Sequence, residues 1–185
     1  MSKVTVFIAN GTEESECLII VDLLRRAGIN TRLVSITYSK TVVSSHDITI
    51  VADGVFAEEN FDDSDMLFVP GGMPGVTNML AHDGLKELIQ KFNREGKRLG
   101  AVCAGPAVLG QAGVLEGKEA TCFPGWEDKL NCSQYTGAAF TTDGLITTGR
   151  GLGCTIDEGL EIIRILEGEE MANDIKSRIQ HTDTI

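Results

Sequence analysis

Apolar residues along this chain fall into short β-branched runs that alternate with segments spaced by threes and fours, and most runs end in a glycine turn. Lys3-Val-Thr-Val-Phe-Ile-Ala9 reads as a first, central strand stopped by Asn10-Gly11-Thr12. Beyond it Cys17, Ile20, Val21 and Leu24 share one face, the pattern of a helix laid on a sheet. Asn10 or Thr12 is placed to cap this helix, Glu13, Glu14 and Glu16 suit its positive end, and Gly28 stops it after Arg25 and Arg26. Thr31 to Ile36 forms a second strand. Val42 to Val51 predicts two short strands about a Ser44-Ser45-His46-Asp47 turn, an insert expected to cover one edge of the sheet. Asp65 to Val69 is a buried strand that runs into Pro70-Gly71-Gly72-Met73-Pro74-Gly75, and Leu85 to Arg94 is an amphipathic helix closed by Gly96.

The next run, Leu99 to Val102, is small and apolar, as befits a strand buried on both faces, and Pro106 suits the first turn of a helix ended by Gly113 or Gly117. From Glu119 to Thr142 the pattern weakens: Thr121-Cys122-Phe123 is strand-like, Pro124-Gly125-Trp126 a turn, and Trp126 to Leu130 about one helical turn. Leu145 to Thr148 is a strand followed by Gly149-Arg150-Gly151-Leu152-Gly153. Cys154 to Leu166 is a helix with Ile156, Leu160 and Ile163 facing inward, and a last helix runs from Glu169 to about Ile179, with a polar tail through Ile185 expected to fray. Repeated strand, glycine turn and helix define an α/β chain with a mostly parallel sheet and helices on both faces, read as one domain over residues 1–185. In such a sheet the turns at Asn10-Gly11, Gly71-Gly72, Cys103 and Gly149-Arg150-Gly151 all gather at the carboxyl edge of the strands.

Charge narrows the class of partner. Sixteen basic residues against 27 acidic ones leave a net charge of −11, with no basic cluster to follow a phosphate backbone, so nucleic acid is not expected. No apolar run reaches membrane-spanning length and the amino terminus enters a strand at once, which points to a cytoplasmic protein. Five cysteines, none in a C-x-x-C pair, disfavour a disulfide framework and a zinc site. The chain also lacks G-x-G-x-x-G after the first strand and a Walker-type lysine, so no nucleotide or other cofactor is expected.

Two side chains stand out. Cys103 falls at a strand-to-helix junction among Ala101, Ala104 and Gly105, the small neighbours of a nucleophile elbow, where amides opening the helix favour a thiolate. A cysteine buried for packing alone fits these residues equally well. Glu16 aligns by threes and fours with Ile20, Leu23 and Ala27, so its carboxyl lies along the rim of the apolar stripe rather than in solvent. It shares its sheet edge with Cys103, although a carboxylate that merely suits the helix dipole would also stand there. Gly71 and Gly72 offer backbone donors, or plain turn chemistry.

Gly11-Thr-Glu-Glu-Ser-Glu16, Arg25-Arg-Ala-Gly-Ile29, Val69-Pro-Gly-Gly72, Ala101-Val-Cys-Ala-Gly-Pro106 and Gly149-Arg-Gly-Leu-Gly153 together resemble the ThiJ/PfpI superfamily, and most closely its DJ-one branch. The resemblance covers essentially the whole chain. It implies a flavodoxin-like three-layer sandwich that forms a homodimer, with Cys103 as a reactive thiolate and Glu16 as a protonated carboxyl bonded to it. It further implies the Gly72 and Ala104 amides as oxyanion donors. Arg26 is then either a residue that crosses to the partner subunit's site or a solvated cation. Gly71 and Arg150 are further candidate contributors. Where many relatives carry His-Pro this chain has Phe123-Pro124, and Leu152 replaces a common proline. Of its histidines, 46, 82 and 181, only His46 is a candidate for the chemistry.

The expected activity is that of a cofactor-independent glyoxalase or deglycase acting on glyoxal, methylglyoxal or their early adducts on protein. The alternative is a redox-sensing or chaperone-like protein that uses an oxidisable Cys103 with little catalysis. Peptidase chemistry needs a histidine base that the pattern does not supply.

Overall fold

The computed structural model describes residues 1–182. The chain runs β1 (Lys3–Ile8), α1 (Glu14–Arg26), β2 (Asn30–Ser35), β3 (Thr41–Val43), β4 (Thr49–Val51), β5 (Gly54–Val55) and β6 (Met66–Val69). It continues through α2 (Gly75–Leu80), α3 (Asp83–Arg94), β7 (Arg98–Val102), α4 (Pro106–Gln111), β8 (Glu119–Ala120), β9 (Gln134–Tyr135), β10 (Phe140–Asp143), β11 (Ile146–Gly149), α5 (Thr155–Glu167) and α6 (Glu169–Arg178). The tail expected to fray through Ile185 lies, from residue 183 on, outside the described residues.

Seven strands form one sheet in the order β10-β11-β7-β6-β1-β2-β5, parallel throughout except for β10 against β11. Setting aside the edge strands β5 and β10, the order β2-β1-β6-β7-β11 is the 2-1-3-4-5 arrangement of a flavodoxin-like fold, with its switch point between β1 and β6. Along β1 the pleat sends Val4, Val6 and Ile8 to one face and Phe7 to the other. On the Phe7 side the sheet packs under Met79 of α2, Leu85, Ile89 and Phe92 of α3, and Val108 of α4. On the opposite side it meets Cys17, Ile20 and Leu24 of α1, Ile162 and Ile163 of α5, and Ile175 of α6. Each large side chain fully withdrawn in this way contributes about 1.5–3 kcal/mol. Among the described residues no helix is long and apolar enough to cross a membrane.

Four sequence expectations change. Neither Asn10 nor Thr12 caps α1: Glu13 does, accepting from the Ser15 amide, while Thr12 Oγ1 accepts from Ala9 N and Asn10 Oδ1 from Val43 N. The Val42–Val51 insert is a separate antiparallel hairpin that hangs on the β1–α1 turn through Gly11 N to Val43 O and Ser45 N to Thr12 O, and β5 takes the sheet edge instead. A helix, α2, leaves the glycine loop directly. The short strand near residue 120 is β8, paired with β9, rather than Thr121 to Phe123.

Gly105 lets the helix after β7 approach β6. A Cβ on it would stand 2.3 Å from the Val69 carbonyl oxygen and 2.8 Å from that of Val102, both backbone atoms with no rotamer to escape into. Replacing Gly105 with alanine is expected to lower the unfolding free energy by about 3 kcal/mol, the upper end for overpacking. Urea denaturation checks it, and an unchanged midpoint would contradict the close approach.

Candidate active site

Cys103 follows β7 with φ of +62°, a left-handed conformation that costs a non-glycine residue about 1–2 kcal/mol. Three backbone hydrogen bonds hold it there. Its N–H donates to the Gly149 carbonyl at the end of β11 (3.0 Å), its carbonyl accepts from Phe123 N (2.8 Å), and Gly105 N closes the turn on Val102 O (2.8 Å). The resulting elbow leaves the side chain partly accessible at the carboxyl edge of the sheet, beside the switch point.

Glu16 arrives from the first turn of α1 and is 1% exposed. Its Oε2 accepts a 3.0 Å hydrogen bond from Gly71 N in the loop after β6. Gly71 occupies the junction itself, since a Cβ there would lie 2.6 Å from Glu16 Oε2, 2.7 Å from Cys103 Cβ and 3.0 Å from Cys103 Sγ. The Glu13 amide bonds to Gly71 O at 2.9 Å, so the start of α1 and the loop after β6 are tied twice. Gly72, at φ of +94°, continues the loop where a Cβ would fall 2.1 Å from Glu13 N.

Burial pushes the Glu16 carboxyl up to about 7, against hydrogen bonds from Cys103 and from the Gly71 and Leu152 amides that favour its anion. Burial, then the charge of an ionised Glu16 and its hydrogen bond, push the Cys103 thiol up to about 12, with only the Ala104 amide pulling down. The single chain therefore does not hold the sulfur as a free-standing thiolate at neutral pH, as the elbow alone suggested. Two of the four raising influences, burial and the charge of Glu13 being the others, come from the Glu16 anion, and both vanish when that carboxyl takes up a proton. The sulfur and the carboxyl thus titrate as one unit.

The other expected site residues divide. The Gly72 and Ala104 amides donate to no oxygen among the described residues, and Ala104 N points at the sulfur. Gly71 is engaged by Glu16 and acts by holding it. Arg150 lines an apolar recess with Phe123, Pro124 and Leu152. Arg26 is not brought to the site: it pairs with Asp22 at 2.6 Å, ten residues along α1 from Glu16, a rise of about 15 Å.

His82 caps α3 by accepting from Leu85 N, and His181 meets Asp157 at 2.8 Å. His46 faces Glu14 at 2.9 Å and Glu13 at 3.4 Å, the group of possible metal ligands found among the described residues, already bridged by the Ser45 hydroxyl. Unforeseen in the sequence is Glu158 of α5, fully buried with both oxygens unpartnered among the described residues, packed where a Gly149 side chain would otherwise go. Burial and the neighbouring Glu16 hold its carboxyl well above the ordinary range.

An open parallel sheet with a cysteine on a strained elbow and a buried glutamate beside it defines a class of α/β proteins built around one sulfur. Known proteins place the chain within that class. Residues 2–165 match the DJ-1/PfpI family, and the chain belongs to it. It is 33% identical over 178 residues to protein dj-1beta of Drosophila melanogaster, covering 95% of each. Against the solved Drosophila structure it gives a TM-score of 0.94 at 31% identity, covering 99% of this chain and 100% of that one. Protein DJ-1 homolog B of Arabidopsis thaliana is also 33% identical over 94% of this chain, which spans only 40% of that relative's length. A protein of Caenorhabditis elegans named glutathione-independent glyoxalase DJR-1.2 is 27% identical, over 88% of this chain and 87% of its own.

A carboxyl raised from 4.5 to about 7 binds its proton more tightly in the folded chain than in the unfolded one. Its contribution to stability is complete below pH 4.5 and is lost as pH rises through 7. Glu16→Gln removes this dependence. The unfolding free energy of wild type minus that of the variant is expected to fall by about 3 kcal/mol from pH 4.5 to pH 8. A constant difference across that range would refute the buried carboxyl.

Proposed function

We propose that the protein is a cysteine-dependent, cofactor-independent glyoxalase acting on small 2-oxoaldehydes, with early glyoxal adducts of protein as related substrates. The observation that carries this reading is the hydrogen-bonded pair of the Glu16 carboxyl and the Cys103 thiol, packed against Gly71. A carboxyl that titrates near 7 serves as base and acid in turn at neutral pH. As Cys103 Sγ attacks the aldehyde carbon, Glu16 takes the thiol proton, the C–S bond forms, and the carbonyl electron pair moves to oxygen. The Gly72 and Ala104 amides face that oxyanion, and Glu16 returns the proton to it, which gives a hemithioacetal. Transfer of the hydrogen on that carbon to the neighbouring carbonyl carbon, with the hydroxyl proton passing by way of Glu16 to the oxygen of that carbonyl, turns the adduct into a thioester of a 2-hydroxy acid. The oxidation of one carbon is matched by reduction of the next. Water then adds to the acyl carbon, the C–S bond breaks, and the proton returns to sulfur. The name of the Caenorhabditis relative agrees with this chemistry.

Dimerisation belongs to the same reading, because only a second copy could bring Arg26 to a Cys103 side chain. A second function, peroxide sensing at Cys103, is favoured by the partial exposure of that residue beside an acid able to hold an oxygen placed on its sulfur. Intact mass after mild peroxide is then expected to differ between wild type and Glu16→Gln, and identical products would count against sensing.

The catalytic reading is tested by lactate release from methylglyoxal. Cys103→Ser is expected to abolish it and Glu16→Gln to reduce it about 100-fold, the worth of a positioned acid or base. Undiminished turnover by Cys103→Ser would overturn the mechanism.

A further inference from the structure

Beside the reactive pair lies an open recess of about 350 Å³ walled by Phe123, Pro124 and Leu152, with Gly151, Gly153 and the free thiol of Cys154 in its lining and Arg150 as the one charged residue among those that line it. Phe123 and Leu152 remain 49% and 46% exposed, so each leaves about half of its apolar surface for a ligand to cover. The recess is fastened to the chemistry from two sides: Phe123 N bonds to the Cys103 carbonyl at 2.8 Å, and the Leu152 amide reaches the Glu16 carboxyl. A Cβ on Gly151 would stand 3.4 Å from the Phe123 ring, so the floor passes directly under that ring. Phenylalanine carries no proton, and what position 123 offers to the site is therefore a face rather than an acid or base. Mostly apolar walls with one polar group at the rim are the composition of a small-molecule pocket.

We propose that this recess is the subsite for the carbon side chain of the substrate, and that it selects 2-oxoaldehydes carrying an aryl or branched alkyl group over glyoxal and methylglyoxal. The proposal deepens the glyoxalase reading and rests on it for the aldehyde. The recess itself is open to a test that needs no turnover. With the aldehyde carbon at Cys103 Sγ and its oxygen toward the Gly72 and Ala104 amides, the substituent has the Phe123 and Leu152 side as its apolar exit. Filling it withdraws both exposed side chains from water, and a hydrophobic group placed in such a pocket is worth about 10–200-fold in selectivity.

The test compares alkylation of Cys103, followed on its own peptide by mass so that Cys154 in the recess is scored apart, by N-phenyl-2-iodoacetamide and by 2-iodoacetamide, each rate divided by that of free cysteine with the same reagent. The wild-type ratio is expected to favour the phenyl reagent about tenfold, to fall toward 1 in Leu152→Ala and Phe123→Ser, and to persist in Phe123→Leu, which keeps an apolar face. A wild-type ratio of 1, or a ratio unmoved by Leu152→Ala and Phe123→Ser, would overturn the subsite whatever the enzyme activity. In parallel, kcat/KM for phenylglyoxal is expected to exceed that for methylglyoxal about tenfold and to lose that margin in Leu152→Ala. A tenfold alkylation ratio with no turnover of either aldehyde would overturn the glyoxalase reading and leave the subsite standing.

Discussion

A carboxyl held out of water against a glycine amide and a sulfur is the constraint that the carboxyl edge of this sheet is built around. Glu16 comes from the helix after β1, Gly71 from the loop after β6 and Cys103 from the elbow after β7, and the three meet at a point with no room for a Cβ. Three consecutive strands in the centre of the sheet must therefore end at matching heights. Their parallel registers, Val6 opposite Phe68 and Phe68 opposite Gly100, set those heights. Burying the carboxyl costs free energy, which the Gly71 amide and the contact with sulfur offset only in part, so the group keeps its proton to about neutral pH.

The same face of the sheet carries a second buried acid. Glu158 of α5 has no hydrogen-bond partner among the described residues and lies within electrostatic reach of Glu16. Both carboxyls bind protons more tightly folded than unfolded, so their joint contribution to stability is greatest in acid and declines as pH rises, opposite in sign to the usual salt-bridged carboxylate. Two such groups in one apolar layer resist ionising together, since the charge of Glu16 raises Glu158 further. Both carboxyls therefore hold their protons to higher pH than an ordinary glutamate does, close to the sulfur.

Much of this was legible in the residues because local and global signals agree. The β-branched run of β1, the stripe of Cys17, Ile20, Val21 and Leu24, and the small residues around Cys103 each admit one period, and the structure follows them. Glu16 was visible for the same reason, since it stands in line with Ile20, Leu23 and Ala27, all of them buried. What escaped lacks a local signature. The helix α2 begins inside a run of glycine and proline that reads as turn, and β5 is two residues long, shorter than any periodicity. Glu13 caps α1 although serine, threonine, aspartate and asparagine are the favoured caps, because Thr12 and Asn10 are drawn off to Ala9 and to the hairpin. Glu158 follows Asp157 in the first turn of α5, where acids suit the helix dipole, and only the packing of Gly149 against α5 shows that one of them is buried. Arg26 stands as a candidate in the sequence and lies far from the sulfur within one chain, since its proposed role needs a second copy.

The shared proton of Glu16 and Cys103 is most directly tested by carbon-13 NMR titration of the Glu16 side-chain carboxyl, in wild type and in Cys103→Ser. A midpoint near 7 that moves when the sulfur is replaced is the expected result. A midpoint near 4.5, the same in both proteins, would show an ordinary solvated carboxylate and contradict the coupling on which the site depends.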